Sequence, residues 1–215
     1  MEDIILRKET ASDYHSVEVL TREAFWNHHA PGCNEHYLVH ILRASDAFIK
    51  ELDYVAELDG KVVGNIMYAR SKIVGDCGEQ HEVITFGPVS VLPEYQSNGI
   101  GGKLIEHTLE VAKGLGYKAV LIYGDPDYYS RFGFVEAENY RIGTPGNMYA
   151  VPLQALELCP GALADCSGRF FEDPVYDIDE KAAEEFDAAF PKKEKLSGLP
   201  SQERFLQLVN MKKPR

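Results

Sequence analysis

At 215 residues the chain is long enough for one domain with a substantial core, or one domain with an appended subdomain, and short for two catalytic domains. Its 22 basic and 34 acidic residues leave a formal charge of -12, which argues against a nucleic-acid surface, because phosphate neutralisation needs clustered Lys and Arg. Hydrophobic residues at 45% and charged residues at 26% match ordinary globular usage and exclude a disordered chain or a disulfide miniprotein.

No apolar run approaches the length of a membrane span, and the opening residues carry acids where a secretory signal would carry bases, so a cytoplasmic protein is expected. Residues 4–6 read as a short strand. The run Thr10-Ala11-Ser12-Asp13 then resembles a capping box, with Thr10 as cap and Asp13 favouring the helix dipole. Val17, Leu20, Ala24 and Phe25 recur at helical spacing until Pro31-Gly32 interrupts them, and a second helix is expected near 34–44. Residues 54–58 and 61–69 flank Asp59-Gly60, a dipeptide suited to the positive φ angles of a type I′ turn, so a hairpin follows. After a loop at 75–80, a third strand covers 82–86 and, beyond Gly87-Pro88, 89–91. Leu104, Ile105, Thr108, Val111, Ala112 and Leu115 form one helical stripe over 101–115, closed by Gly114 and Gly116. A buried-type strand at 119–123, a short helix over 128–132 and a strand from Phe134 complete the series. The order β-α-α-β-β-β-α-β-α-β implies an α/β fold, a mixed sheet with helices on its faces.

The last segment differs in texture. Residues 172–190 hold eight acids and one Lys, residues 191–215 two acids and seven bases, so most of the acidity, -10, lies in residues 1–171. Two short amphipathic helices are expected in 172–215, one with Ala182, Phe186 and Phe190, the other capped by Ser201 with Phe205, Leu208 and Val209 inward. Such an extension must dock on the core or on a partner subunit, as in a homodimer.

The chemistry concentrates in residues 89–104, a strand, a glycine-rich turn and a helix start. Glycines allow close backbone approach, and the unpaired N–H groups opening a helix favour a phosphate or pyrophosphate. A P-loop, G-x-x-x-x-G-K-S/T, fails because Ser97 replaces the first glycine and Leu104 the magnesium-binding hydroxyl. A dinucleotide fingerprint starting at Gly99 fails at Leu104 as well. What fits is Q/R-x-x-G-x-G/A, carried by Gln96, Gly99 and Gly101. With Val89-Ser90-Val91 before it and Tyr128-Tyr129-Ser130-Arg131-Phe132-Gly133-Phe134 after it, this loop resembles the GNAT family of N-acetyltransferases, over roughly residues 3–150. The segment 124–134, with Pro160-Gly161-Ala162-Leu163 and the basic run from Phe190, resembles its YhbS-like bacterial subgroup.

The resemblance implies a mostly antiparallel central sheet and a reaction in which an amine attacks the thioester of acetyl-CoA in a ternary complex. It implies that the backbone of Gln96, Ser97, Asn98, Gly99, Ile100, Gly101 and Gly102 holds the pyrophosphate. Val89, Ser90 and Val91 would hold the pantetheine amides. Tyr129, five residues before Phe134, falls where the family places the tyrosine that protonates the departing thiolate; packing beside Phe132 is the alternative. A glutamate that some members carry in the fourth strand has no counterpart here, since Thr85 falls near that place. Glu82, acting through a water, is the remaining carboxylate candidate for the base, and a solvated strand-end acid is its plain reading. Asp125 and Asp127 are expected to cap the short helix.

His28, His29, His36 and His40 cluster between the first two helices, where the family walls its acceptor site. His36 and His40 lie one turn apart without the intervening glutamate of H-E-x-x-H, and the four cysteines, Cys33, Cys77, Cys159 and Cys166, follow no ligand spacing, so no metal is expected. The acceptor would be a small-molecule or protein amine. A non-catalytic acyl-CoA-binding or sensing protein is the alternative function.

Overall fold

A computed structural model describes residues 4–215; the opening acids Glu2 and Asp3 lie outside the described residues. The chain begins with β1 (Ile5–Lys8), α1 (Tyr14–Phe25) and α2 (Glu35–Leu42), followed by β2 (Tyr54–Leu58), β3 (Lys61–Gly75) and β4 (Gln80–Val91). Next come α3 (Ile100–Gly114), β5 (Ala119–Tyr123), α4 (Pro126–Tyr129) and β6 (Val135–Glu136). The element order read from the sequence holds to this point. Four further strands follow, β7 (Ile142–Gly143), β8 (Met148–Ala150), β9 (Leu153–Glu157) and β10 (Gly168–Phe171), then α5 (Glu180–Asp187), α6 (Pro200–Asn210) and β11 (Lys212–Pro214).

The main sheet runs β1-β2-β3-β4-β5-β9-β6, with β10 beside the far half of β3, and is mostly antiparallel. It continues past residue 150, because β9 pairs with all of β5 and β10 with Lys72–Gly75. The β2–β3 turn has Asp59 at φ 51° and Gly60 at φ 77°, the two left-handed residues that a type I′ turn requires. Strand alternation sorts the core. Ile66 and Tyr68 face α3, packing with Leu104, Ile105 and Ala112, whereas Met67 and Ala69 face α1 and α2, against Val17, Val39 and Leu42. A third cluster, with Ile73, Leu121, Leu153 and Phe170, lies under β9 and β10.

Several local expectations are corrected. Asp13, not Thr10, is the N-cap of α1; its carboxylate accepts from the Thr10 N–H and hydroxyl and pairs with Arg7. The inward stripe of α3 uses Leu109, while Leu115 is 49% exposed just past the helix end. In the extension, Asp179 caps α5, Ala183 rather than Ala182 is buried, and α6 is capped at Leu199, with Pro200 opening the helix ahead of Ser201.

The extension packs on the core. Arg22 of α1 and His36 of α2 both reach Asp187, at 2.6 and 3.0 Å, and His36 sits against Phe186 and Phe190. Asn27, at φ 62°, accepts from the N–H groups of Gly32 and Leu196 and donates to the Glu194 carbonyl, while its own carbonyl accepts from the Gln202 amide. Arg204 of α6 pairs with Asp125 and Asp127, and β11 forms a two-stranded sheet with β8.

Candidate active site

The site originates in a divergence of β4 from β5. They run parallel and touch in register only at Ile84 and Val120. Beyond that point the register of β4 against β3 shifts, so that Gly87-Pro88 bulge opposite the single residue Met67. Val89, Ser90 and Val91 remain paired to β3 on one edge, and among the described residues no strand pairs with their other edge. An open strip of backbone amides results.

Facing this strip is the N-terminus of α3. Gly99 takes φ 79°, which a side chain adopts only at a cost, and as N-cap it contributes no side-chain hydrogen bond. The first intrahelical bond runs from Lys103 N–H to the Gly99 carbonyl, so the N–H groups of Ile100, Gly101 and Gly102 find no acceptor among the described residues. No acid occupies the first turn. Unpaired amides and the positive end of the helix dipole together make an anion site. A Cβ on Gly101 would come within 3.2 Å of the Tyr128 hydroxyl and 3.6 Å of Val91, so glycine here keeps the cleft open.

The cleft between strand and helix has a volume of about 830 Å³. Val89, Val91, Gln96, Ser97, Gly99, Ile100, Gly101 and Gly102 all line it, as does Tyr129. The side chains of two others, Ser90 and Asn98, are engaged away from the cleft, which leaves the expectation for their backbone untouched. Ser90 is buried and donates to the Thr21 hydroxyl at 3.0 Å, and Asn98 bonds the Tyr95 carbonyl. Gln96 folds back, donating to the Val91 carbonyl at 3.0 Å, and thereby ties the turn to the strand.

Tyr129 is held by aromatic neighbours, Phe86, Phe134 and Tyr128, with ring centroids 5.0 to 5.9 Å away. Burial pushes its phenol well above the ordinary value of 10, with Tyr128 adding to the shift, so the group is a neutral O–H donor throughout the physiological range. Its position comes from α4, whose N-cap Asp125 accepts from the Asp127 N–H. Asp125 is in turn held low by its ion pair with Arg204. Both aspartates are thus occupied by capping and pairing.

The structure does not bring Glu82 to this cleft. It is exposed near the start of β4, opposite Lys72, and Thr85 is buried in the sheet. The titratable side chains that do line the cleft include Glu106, on α3, and His28, which lies there together with Phe25. Burial foremost, and then the neighbouring His29, lower its pKa from 6.5, against an opposing pull from Glu35. The histidine cluster otherwise disperses, His36 to Asp187 and His40 to Glu18, and among the described residues no three His, Cys, Asp or Glu side chains converge as a metal site. Cys33 lies 3.4 Å from His36, but burial pushes its thiol up to about 12, which leaves it a poor nucleophile. Lys103 and Arg131 also line the cleft and bring positive charge to it; neither is assigned a role from the sequence, although Lys103 follows the glycine-rich turn and Arg131 lies within the 128–134 block.

Residues 51–136 match the family model for the acetyltransferase (GNAT) domain. The uncharacterized N-acetyltransferase YjhQ of Escherichia coli is 33% identical over 127 residues, 46% of this chain and 70% of that protein. The chain belongs to the GNAT family. Its fold superposes on the GNAT protein YhbS from Escherichia coli in complex with CoA, with a TM-score of 0.72 and 28% identity over 83% of this chain and 94% of that one. A GNAT acetyltransferase from Brucella melitensis in complex with acetyl-CoA gives a TM-score of 0.65 and 31% identity over 82% and 100%. This GNAT protein is therefore an acyltransferase, with the mixed, mostly antiparallel sheet and flanking helices of its structural relatives. Among its described residues no helix is long and apolar enough to cross a membrane.

Proposed function

We propose that this GNAT protein transfers the acetyl group of acetyl-CoA to a primary amine by direct attack in a ternary complex. The observation that carries the reading is the cleft itself: an open strand edge at Val89–Val91 faces the free N–H groups of Ile100 to Gly102, and Tyr129 lines the space between them. Each part matches a demand of the cosubstrate. The α3 amides suit its pyrophosphate, Lys103 and Arg131 add positive charge, and the strand edge suits the amides of the pantetheine arm. When bound, acetyl-CoA supplies an activated acyl group on a thioester.

The chain's own residues then manage protons. Tyr129, neutral because it is buried, donates its phenolic proton to the sulfur as the thiol departs. His28, neutral at pH 7, takes the proton that the attacking amine must lose. Both side chains line one cleft, so proton removal and delivery are served from the same opening.

Calorimetric titration with acetyl-CoA, paired with an assay of CoA thiol release over a panel of amines, tests the proposal. Acetyl-CoA is expected to bind, and at least one amine to stimulate thiol release. Gly101→Val, which crowds Tyr128 and Val91, is expected to weaken acetyl-CoA binding by about tenfold or more while the fold persists. Tight binding without transfer to any amine would instead support an acyl-CoA sensor; absence of binding would overturn both readings.

A further inference from the structure

A second cavity of about 340 Å³ lies on the far side of His28, between the C-terminal end of β5 and helix α6. Its size falls in the range of small-molecule pockets, roughly 300 to 1,000 Å³. The walls are chiefly apolar: Pro152, Tyr123, Phe205, Leu208 and Val209. Phe205 and Val209 are 38% and 43% exposed, so α6 leaves these side chains open toward the cavity instead of burying them in a core. The charged groups at the rim are already satisfied, because Arg204 holds both oxygens of Asp125 and one of Asp127.

Two features connect this cavity to the cofactor cleft. His28 lines both. Gly124, in the cavity wall, lies directly against the Tyr129 ring; a Cβ there would overlap Tyr129 carbons at 2.2 and 2.5 Å. A molecule in the second cavity is therefore separated from Tyr129 by one glycine backbone and from the thioester path by one imidazole.

We infer that the second cavity is the acceptor pocket, and that its occupant is a primary amine carried on an apolar aliphatic or aromatic group. The apolar part lies against Phe205, Leu208 and Val209, and its amine is directed past His28 into the cleft. The wall matches such a molecule and opposes two others. A polyamine would bury a second ammonium against apolar side chains, and an amino acid would bring a carboxylate to a rim where Arg204 is already engaged. Transfer forms the amide N–C bond and breaks the C–S bond of the thioester; one amine proton passes to His28, and the sulfur receives the proton of Tyr129. This inference rests on the acetyltransferase reading and adds the substrate class.

The test uses the full chain with acetyl-CoA and four amines: phenethylamine, hexylamine, spermidine and glycine. The first two are expected to be the better acceptors. Val209→Trp, which fills the pocket, is expected to raise the phenethylamine KM about tenfold or more with the acetyl-CoA Kd unchanged, and Val209→Ala to favour bulkier arylalkylamines over the parent. The unchanged Kd reports that the fold is intact. Preference for spermidine or glycine, or a phenethylamine KM insensitive to both substitutions, overturns the pocket assignment alone. No transfer to any amine despite acetyl-CoA binding overturns the acetyltransferase reading and the assignment with it.

Discussion

Replacing Tyr129 by Phe removes one oxygen and leaves the rest of the site in place. The ring keeps its contacts with Phe86, Phe134, Tyr128 and Phe132. The side chain lines the cleft, and the change removes no packing atom of the ring, so the stability change is expected to stay within about 0.5 kcal/mol. Acetyl-CoA affinity is likewise expected to hold, because the α3 amides and the strand edge are untouched. Turnover is different. A positioned general acid contributes about 10² to 10⁴ in rate, so kcat is expected to fall at least 100-fold, which is about 2.7 kcal/mol of barrier. Because burial raises the phenol above its ordinary value of 10, Tyr129 remains protonated to pH 10 and adds no alkaline limb below it. Thiol release measured with phenethylamine between pH 6 and 9, beside calorimetry with acetyl-CoA and a thermal melt, separates these effects. A variant that binds acetyl-CoA normally and retains kcat within about threefold would refute the assignment of Tyr129 as the acid.

His28→Gln is expected to lower kcat/KM about 100-fold at pH 7.5. Its protonation lies below 6.5, so in the parent this contribution is complete at neutral pH and is lost as pH falls through the lowered pKa; the parent-to-variant ratio should shrink over the same interval, and a ratio constant with pH would exclude His28 as the base. Glu172→Gln concerns stability. Burial raises that carboxyl from 4.5 to about 7, so the folded state holds its proton more tightly than the unfolded chain, and stability declines as pH rises from 4.5 to 7. The glutamine variant is expected to be about 1 to 2 kcal/mol more stable than the parent at pH 8 and no more stable at pH 4, as read from denaturant melts.

The β2–β3 hairpin and the glycine-rich turn were legible in the sequence because their signals are local. Asp59-Gly60 needs no tertiary partner to specify its turn, and Gly99 at the head of α3 needs none to leave amides unpaired. β9 carried no such signal: Leu153-Gln154-Ala155-Leu156-Glu157 has helix-favouring residues, and it is extended because it pairs with β5. β3 runs on to Gly75, past the expected end at 69, for a similar reason, since β10 supplies a neighbour for its second half. Position counted along the strand falls near Thr85 and leaves Glu82 as the nearest carboxylate, whereas the cleft opens only after Gly87-Pro88, beyond both residues. The α6 helix is expected with Phe205, Leu208 and Val209 inward, but of these only Leu208 is buried, and where the helix docks could not be read. Nothing near residue 205 states that it returns to the end of β5, some 80 positions earlier; that path depends on Arg204 reaching Asp125 and Gln202 reaching Asn27.

Asn27 has a consequence for catalysis that its burial conceals. Its side chain and carbonyl join the loop after α1 to the strand-free segment at 194–196 and to Gln202 at the start of α6, and the next residue in the chain is His28. The imidazole assigned to proton removal and the apolar wall assigned to the acceptor are therefore registered to each other through one asparagine. A disturbance that lifts α6 also moves the base, and an acceptor that presses on α6 is felt at His28. On the roles proposed for His28 and the α6 wall, the C-terminal segment would act as a gauge for the distance between the amine and the imidazole.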